Sequence, residues 1–238
     1  MNFSLITVNN RHILYDQACF EDPGDISFDS SCWARRDAIV GFAEGRGTTF
    51  FVNYHGQELA LRHYHRGGLV ARWSPDRYLW TGLQSTRAWK ELHLLQHLFE
   101  LNLPVPQPIA AQLLRQGAFY TADIMTRRIA GARSVGQLLS TGELGPDSWS
   151  DMGSVIRSFH EQGVYHADLN ANNIMLDQDG QFYLIDFDRG AIKRKRRSWQ
   201  QRNLQRLHRS LVKLKGKHEK FHFSDENWRA LLTGYNQT

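Results

Sequence analysis

From Tyr165 to Asp188 the chain runs Tyr-His-Ala-Asp-Leu-Asn-Ala-Asn-Asn-Ile-Met-Leu-Asp-Gln-Asp-Gly-Gln-Phe-Tyr-Leu-Ile-Asp-Phe-Asp. Asn173 to Asp177 and Gln181 to Ile185 are short β-prone runs joined by Gln178-Asp-Gly180, which predicts a hairpin. A hairpin brings the residues at its open end together, and these are Asn173 and Asp186. Upstream, His166 and Asp168 stand in the order His-x-Asp-x-x-x-x-Asn. Phosphoryl transfer from a nucleotide calls for positioning and charge neutralisation more than covalent help. One carboxylate must take the proton of the acceptor hydroxyl, and Asp168 has that place. A magnesium ion takes oxygen ligands, and Asn173 and Asp186 offer an amide carbonyl and a carboxylate. Each of these acids alone reads as part of a solvated turn; the joint pattern is what points to a kinase.

Upstream, Ala38 to Tyr64 reads as three antiparallel strands. A glycine turn at Gly45 and Gly47 separates the first two, and Tyr54-His-Gly-Gln57 the second and third. Glycines at a hairpin tip are often only turn chemistry, yet Gly45 and Gly47 would let backbone amides approach phosphate oxygens closely. The third strand carries Ala60 and Arg62 on one face, since side chains two apart point the same way. Ala60 leaves room for an adenine ring, and Arg62 is placed to grip phosphate in a bidentate fork. An edge-strand arginine facing solvent is the alternative. Ser85 to Leu101 follows as a helix with Ser85 as N-cap. Its Ala88, Leu94, Leu95 and Leu98 put Glu91 on an apolar face, where a carboxylate needs a counter-charge. An Arg62–Glu91 ion pair supplies it, against an ordinary surface pair with Arg87. Pro104 to Pro108, a strand-prone run from Ala118 to Met125 and Thr126 to Gly131 form the segment where a two-lobed kinase has its hinge. A helix from Trp149 to Gln162, stopped by Gly163, leads into the catalytic segment. His160 and His166 read as structural.

The charge is local. Lys193 to Lys220 holds twelve Lys or Arg against Glu219 alone, leaving 17 basic and 23 acidic residues elsewhere. Within it, Leu204, Leu207, Leu211 and Leu214 repeat at helical spacing as a core stripe. The cations, beside Trp199, suit an anionic membrane surface or acceptor phosphates, with nucleic acid or a merely solvated helix face as alternatives. Cys19 and Cys32 are too few for a disulfide scaffold and point to a reducing compartment. No apolar run approaches the roughly 20 residues of a membrane span, and the N-terminus reads as neither leader nor anchor. The chain is expected to be soluble or peripherally bound.

These residues resemble the lipopolysaccharide kinases of Gram-negative bacteria, and among them the 3-deoxy-D-manno-octulosonic acid (Kdo) kinases. The resemblance covers nearly the whole chain. It is carried by His166-Ala-Asp168, Asn173 and Asp186-Phe-Asp188, by Gly45-Arg-Gly47 and Arg62-His-Tyr-His-Arg-Gly-Gly68, and by Trp199-Gln-Gln-Arg-Asn-Leu-Gln-Arg-Leu-His-Arg-Ser-Leu211. It implies an α+β, bilobal protein-kinase-like fold. Residues 1–125 would form a small N-terminal lobe of antiparallel sheet plus helix, and 126–238 a larger, mainly helical lobe. It further implies ATP and Mg²⁺, with Asp168 as base, Asn173 and Asp186 as metal ligands, and Arg62 on the phosphates. The implied acceptor is the 4-hydroxyl of Kdo on a lipid A precursor at the cytoplasmic face of the inner membrane, and nucleic acid becomes an unlikely partner. Ala167, Asn170 and Asp188 depart from the protein-kinase pattern and argue against a phosphorylation-switched protein kinase. A heptose kinase of the same group and a non-catalytic pseudokinase are the rival readings. Arg66-Gly-Gly68 and the cations from Lys193 onward are the candidates for holding the acceptor.

Overall fold

A computed structural model of the chain describes residues 1–20, 22–44, 47–65 and 76–237. Gly45 and the Arg66-Gly-Gly68 run lie outside them. The chain divides into two compact units, Met1–Gln96 with Gln107–Arg128 and His97–Pro106 with Ile129–Thr238.

The first unit is built on an antiparallel sheet of β1 (Phe3–Val8), β2 (Arg11–Asp16), β3 (Ile39–Glu44), β4 (Thr48–Tyr54), β5 (Gln57–His63), β6 (Tyr78–Leu79), β7 (Pro108–Gln116) and β8 (Phe119–Arg127). The strand order is β1-β2-β7-β8-β5-β4-β3, with β6 on β8. The three strands expected between Ala38 and Tyr64 are β3, β4 and β5, with Val52 opposite Leu59 and Thr49 opposite Arg62. They are not the first strands, however. A hairpin of β1 and β2 precedes them, turned through Asn9 at φ 56°, and its second strand pairs with β7, a hundred residues on.

Strand alternation divides β5 between two faces. Leu59 and Leu61 enter a core with Trp33, Val52, Ile109 and Met125. Trp33 is delivered by α1 (Ser30–Arg35), whose N-cap Asp29 accepts from the Ser31 amide at 2.9 Å; the Trp33 indole donates to Ser27 O at 2.8 Å. Arg62 points to the other face. There α2 (Arg87–Glu100) buries Ala88, Glu91, Leu92 and Leu95. Ser85 is not its N-cap. It closes a 3-10 turn, Leu83–Ser85, and Thr86, with ψ 155°, is the extended residue from which the helix departs. The Thr86 hydroxyl is committed to Leu83 O at 2.6 Å. Asn102, at φ 55°, ends the helix in the left-handed conformation, and the Leu103 amide reaches back to Leu98 O.

The second unit carries most of the helix. It contains β9 (Arg133–Ser134), α3 (Val135–Thr141), α4 (Pro146–Glu161), β10 (Val164–Tyr165), β11 (Ile174–Leu176), β12 (Phe182–Leu184), β13 (Ala191–Ile192), α5 (Arg197–Lys215) and α6 (Asp225–Gln237). Ser134 and Gln137 form a reciprocal capping box at the start of α3. Helices α4 and α6 touch backbone to backbone at two glycines. A methyl on Gly153 would run into Leu231 O, and one on Gly234 would lie 2.7 Å from Ser150 Cα. Gly163, at φ 73°, turns the chain out of α4 into β10. The Leu stripe of α5 packs inward over most of its length: Leu204, Leu207 and Leu211 are buried and Leu214 is half-buried.

Candidate active site

The predicted hairpin is β11 with β12, Ile174 opposite Leu184, turned through Gly180 at φ 82°. At its open end the Ile185 amide donates to Asn173 O at 3.0 Å, so Asn173 and Asp186 are held on adjacent strand ends. Phe187 is fully buried, stacked on Phe159 at 5.8 Å and packed on the His166 ring at 4.7 Å. That anchor obliges the residue before it to turn sharply, and Asp186 adopts φ 63°. A non-glycine residue there is uncommon and carries a conformational cost that the surrounding packing must offset.

Asp168 lies on a loop held by its own amides. Its carbonyl accepts from Asn170 Nδ2 at 2.9 Å and from Asn173 Nδ2 at 3.0 Å. The Asn173 amide nitrogen being so committed, Oδ1 has no donor among the described residues. That oxygen, like those of the Asp186 carboxylate, is a donor of the kind a hard divalent cation takes. Among the described residues no cluster of three His, Cys, Asp or Glu forms a transition-metal site. The Asp168 side chain is 42% exposed, so a solute can reach its carboxylate.

His166 is the hub of this arrangement, and its role is structural. The Asp168 amide donates to Nδ1 at 3.2 Å, which fixes Nδ1 as acceptor and places the ring proton on Nε2, 2.9 Å from Ile185 O. One neutral ring thereby ties the Asp168 loop to the strand end that carries Asp186. Burial lowers the His166 pKa, against the opposing hydrogen bond to Ile185 and the charges of Asp186 and Asp168. His160 behaves likewise: burial depresses it to about 4, and it bonds the Tyr235 hydroxyl through Nδ1 at 2.8 Å.

Sequence reasoning missed the helix that clamps this loop. Asn203 of α5, 1% exposed, donates to His166 O at 2.9 Å and accepts from His166 N at 3.3 Å. Ser210 accepts from the Ala171 amide at 2.9 Å. Between them Arg206 donates to Asp168 Oδ1 at 3.0 Å. The three recur three and four residues apart and so share one face of α5. The available signal was an amide set within the Leu stripe, a polar residue that a buried position tolerates only when bonded. Trp199 corrects an expectation. It is 4% exposed, lies edge-on to His160 and Tyr165, and donates its Nε1 hydrogen to Arg194 O, so it is not presented on the surface with the cations. Those from Lys193 to Arg197 are exposed.

In the first unit Arg62 Nη2 donates to Glu91 Oε1 at 2.6 Å, the ion pair expected from the sequence. Glu91 is 3% exposed, and its other oxygen accepts from the Tyr64 hydroxyl. The Arg62 guanidinium lies 4.9 Å over the Tyr64 ring. Tyr64 thus fixes both members of the pair, and its place two residues beyond Arg62 on the same strand face was the sign of it. Gly47 precedes β4, and a side chain there would strike the His65 ring. Glu91, Arg62 and Gly47 therefore belong to the first unit, and Asp168, Asn173 and Asp186 to the second.

Residues 30–235 match the model of the lipopolysaccharide kinase (Kdo/WaaP) family. The chain is 39% identical over 228 residues to a 3-deoxy-D-manno-octulosonic acid kinase of Photobacterium damsela subsp. piscicida, covering 95% of this chain and 94% of that one. It is 40% identical over 238 residues to the kinase of the same name from Haemophilus influenzae strain 86-028NP, covering 96% and 98%. Against that of Vibrio vulnificus it is 40% identical over 223 residues, covering 94% of each. The resemblance read from the sequence holds over nearly the whole chain, and the chain belongs to the lipopolysaccharide kinase (Kdo/WaaP) family, a family of phosphotransferases.

Proposed function

We propose that the protein transfers the γ-phosphoryl group of ATP to the 4-hydroxyl of a Kdo residue on a lipid A precursor, in building the inner core of lipopolysaccharide. Asp168 takes the hydroxyl proton as the new oxygen–phosphorus bond forms and the bond to the β-γ bridging oxygen breaks, leaving ADP. Asn173 and Asp186 would hold Mg²⁺, which when bound neutralises charge on the phosphates. Arg62, oriented by Glu91 and Tyr64, is the phosphate-gripping group, assisted by the backbone amides of Gly45 and Gly47. The reading puts the protein at the cytoplasmic face of the inner membrane, held by the exposed cations Lys193 to Arg197. Among the described residues no helix is long and apolar enough to cross a membrane. Nucleic acid is not the partner in this reading.

The observation that most supports it is the solvent-reachable Asp168 carboxylate, on a loop fixed to Asn173 directly and to the Asp186 strand end through one neutral histidine. The relatives' names supply the sugar. Radiolabelled ATP offered with Kdo-only and with heptose-extended lipid A precursors tests both parts. Label on the Kdo-only acceptor, lowered roughly 10²-fold or more by Asp168→Asn as for loss of a positioned base, is the expected result. Label only on heptose would replace the acceptor, and full turnover in the variant would remove the base.

A further inference from the structure

We propose that the exposed cation face of α5 around Arg206, with Arg202 and Arg209, is the site that takes the carboxylate of the acceptor sugar. The inference rests on the acceptor reading above. Its starting point is Arg206, whose Nη1 lies 3.0 Å from Asp168 Oδ1 in a pair that is 45% and 42% exposed. One donor of the guanidinium fork is used there, and the planar group presents others, in a geometry suited to a second carboxylate.

Arg202 and Arg209 stand four residues before and three after Arg206, so they extend the same stripe of the helix. Both are exposed, and neither has a hydrogen bond or ion pair among the described residues. The opposite side of α5 is occupied by Leu204, Leu207 and Leu211. Cations at these spacings repel one another in an isolated helix, a cost that an anionic ligand relieves. Asn170, where protein kinases carry a lysine close to the base, is turned onto the Asp168 carbonyl. The cation beside the base comes from α5 instead.

The chemistry of the acceptor explains why one is needed. An octulosonic acid carries its carboxylate on the same ring as the hydroxyl to be phosphorylated. When that hydroxyl reaches Asp168, the sugar carboxylate stands within the span of about one helical turn, ~5.4 Å, and meets the charge of Asp168. Arg206 placed between two carboxylates removes that repulsion, and Arg202 and Arg209 supply the remaining charge. In this role Arg206 is both a positioning residue for Asp168 and a contact of the acceptor.

The test is a cycle between enzyme and acceptor. Wild type and Arg202→Gln/Arg209→Gln are assayed on the Kdo-bearing precursor as the free acid and as its neutral carboxamide, with circular dichroism to verify folding. With the acid, the double variant is expected to raise the acceptor KM on the order of 10- to 100-fold, the scale of losing charge-assisted hydrogen bonds, while the KM for ATP stays unchanged. With the carboxamide, wild type and variant should converge. Arg206→Gln should lower kcat as well, with partial recovery in Arg206→Lys. Equal losses on both acceptors would overturn the proposal, since the cations would then be serving lipid phosphates or a membrane surface, and so would no loss at all. Failure of wild type on the free-acid Kdo acceptor would instead sink the acceptor reading itself, and this proposal with it.

Discussion

Asn203→Leu tests whether α5 sets the geometry of the catalytic loop. Leucine keeps the volume of the side chain but removes the bonds to both backbone groups of His166, 2.9 Å from the carbonyl and 3.3 Å from the amide. His166 is 2% exposed, so water does not replace them without local opening. An orphaned buried polar group costs about 1–3 kcal/mol. The longer bond belongs at the low end of that range, and the sum comes to about 2–4 kcal/mol. A loss of about 2 kcal/mol in the local opening free energy speeds amide exchange roughly 30-fold where opening limits it. Hydrogen exchange followed by mass spectrometry across residues 164–173 should show that acceleration, with peptides from β4 and β5 unaffected. Turnover should fall at constant KM for ATP, because Asp168 loses its fixed position while Arg62 does not. Asn203→Asp is the informative control. Its carboxylate still accepts from the His166 amide but opposes the carbonyl, and it places a negative charge beside His160, whose Nε2 is 3.4 Å from Oδ1, which should raise the His160 pKa. Unchanged exchange together with full turnover in Asn203→Leu would refute the clamp.

Arg62→Met should destabilise the protein by about 2–3 kcal/mol, less than a fully buried pair because the arginine is 29% exposed, and raise the KM for ATP. The double variant Arg62→Met/Glu91→Met should recover stability in thermal unfolding but not nucleotide affinity. His160 makes the fold acid-sensitive: with a folded pKa of about 4 below an unfolded value near 6.5, the unfolded chain binds the proton first. Stability is then fully present above about pH 6.5 and falls by up to about 3 kcal/mol as the pH drops to 4. Urea unfolding against pH should show this slope, flattened in His160→Gln. Gly234→Ala should cost on the order of 3 kcal/mol by forcing α6 away from Ser150, read as a lowered melting temperature, whereas Gly142→Ala, at a position with open space, should not.

What could be read from the sequence was what depends on local order. The spacing of His166, Asp168, Asn173 and Asp186 carries both the hairpin and the polar groups at its open end, because a turn joins neighbours whatever the rest of the chain does. The Arg62–Glu91 pair was legible because two local periodicities agreed: period two on the strand set Arg62 on the face of Ala60, and period 3.6 on the helix left Glu91 as the one charge on an apolar face. The N-terminal hairpin was not legible. Its partner β7 lies about a hundred residues away, and no local pattern encodes which strands pair. Trp199 was misread for a related reason. Composition groups it with Lys193–Arg197, but the first turn of α5 rotates it inward onto His160, and only packing decides that direction.

Asn203, Arg206 and Ser210 stayed hidden behind the charge and the Leu stripe of α5, yet their placement has a mechanical consequence. A helix of 19 residues moves as a rigid element, so its apolar stripe, its loop-clamping face and its exposed cations cannot shift independently. An anion drawn to Arg202 or Arg209 therefore pulls on the element that holds His166 and Ala171 by their backbone and Asp168 by its carboxylate. On the acceptor proposal above, acceptor binding and the position of Asp168 would be coupled through α5 without any moving loop. The same coupling explains why the polar residues of α5 stand three and four apart rather than scattered: only at that spacing can one rigid surface reach the loop at His166, Asp168 and Ala171 together.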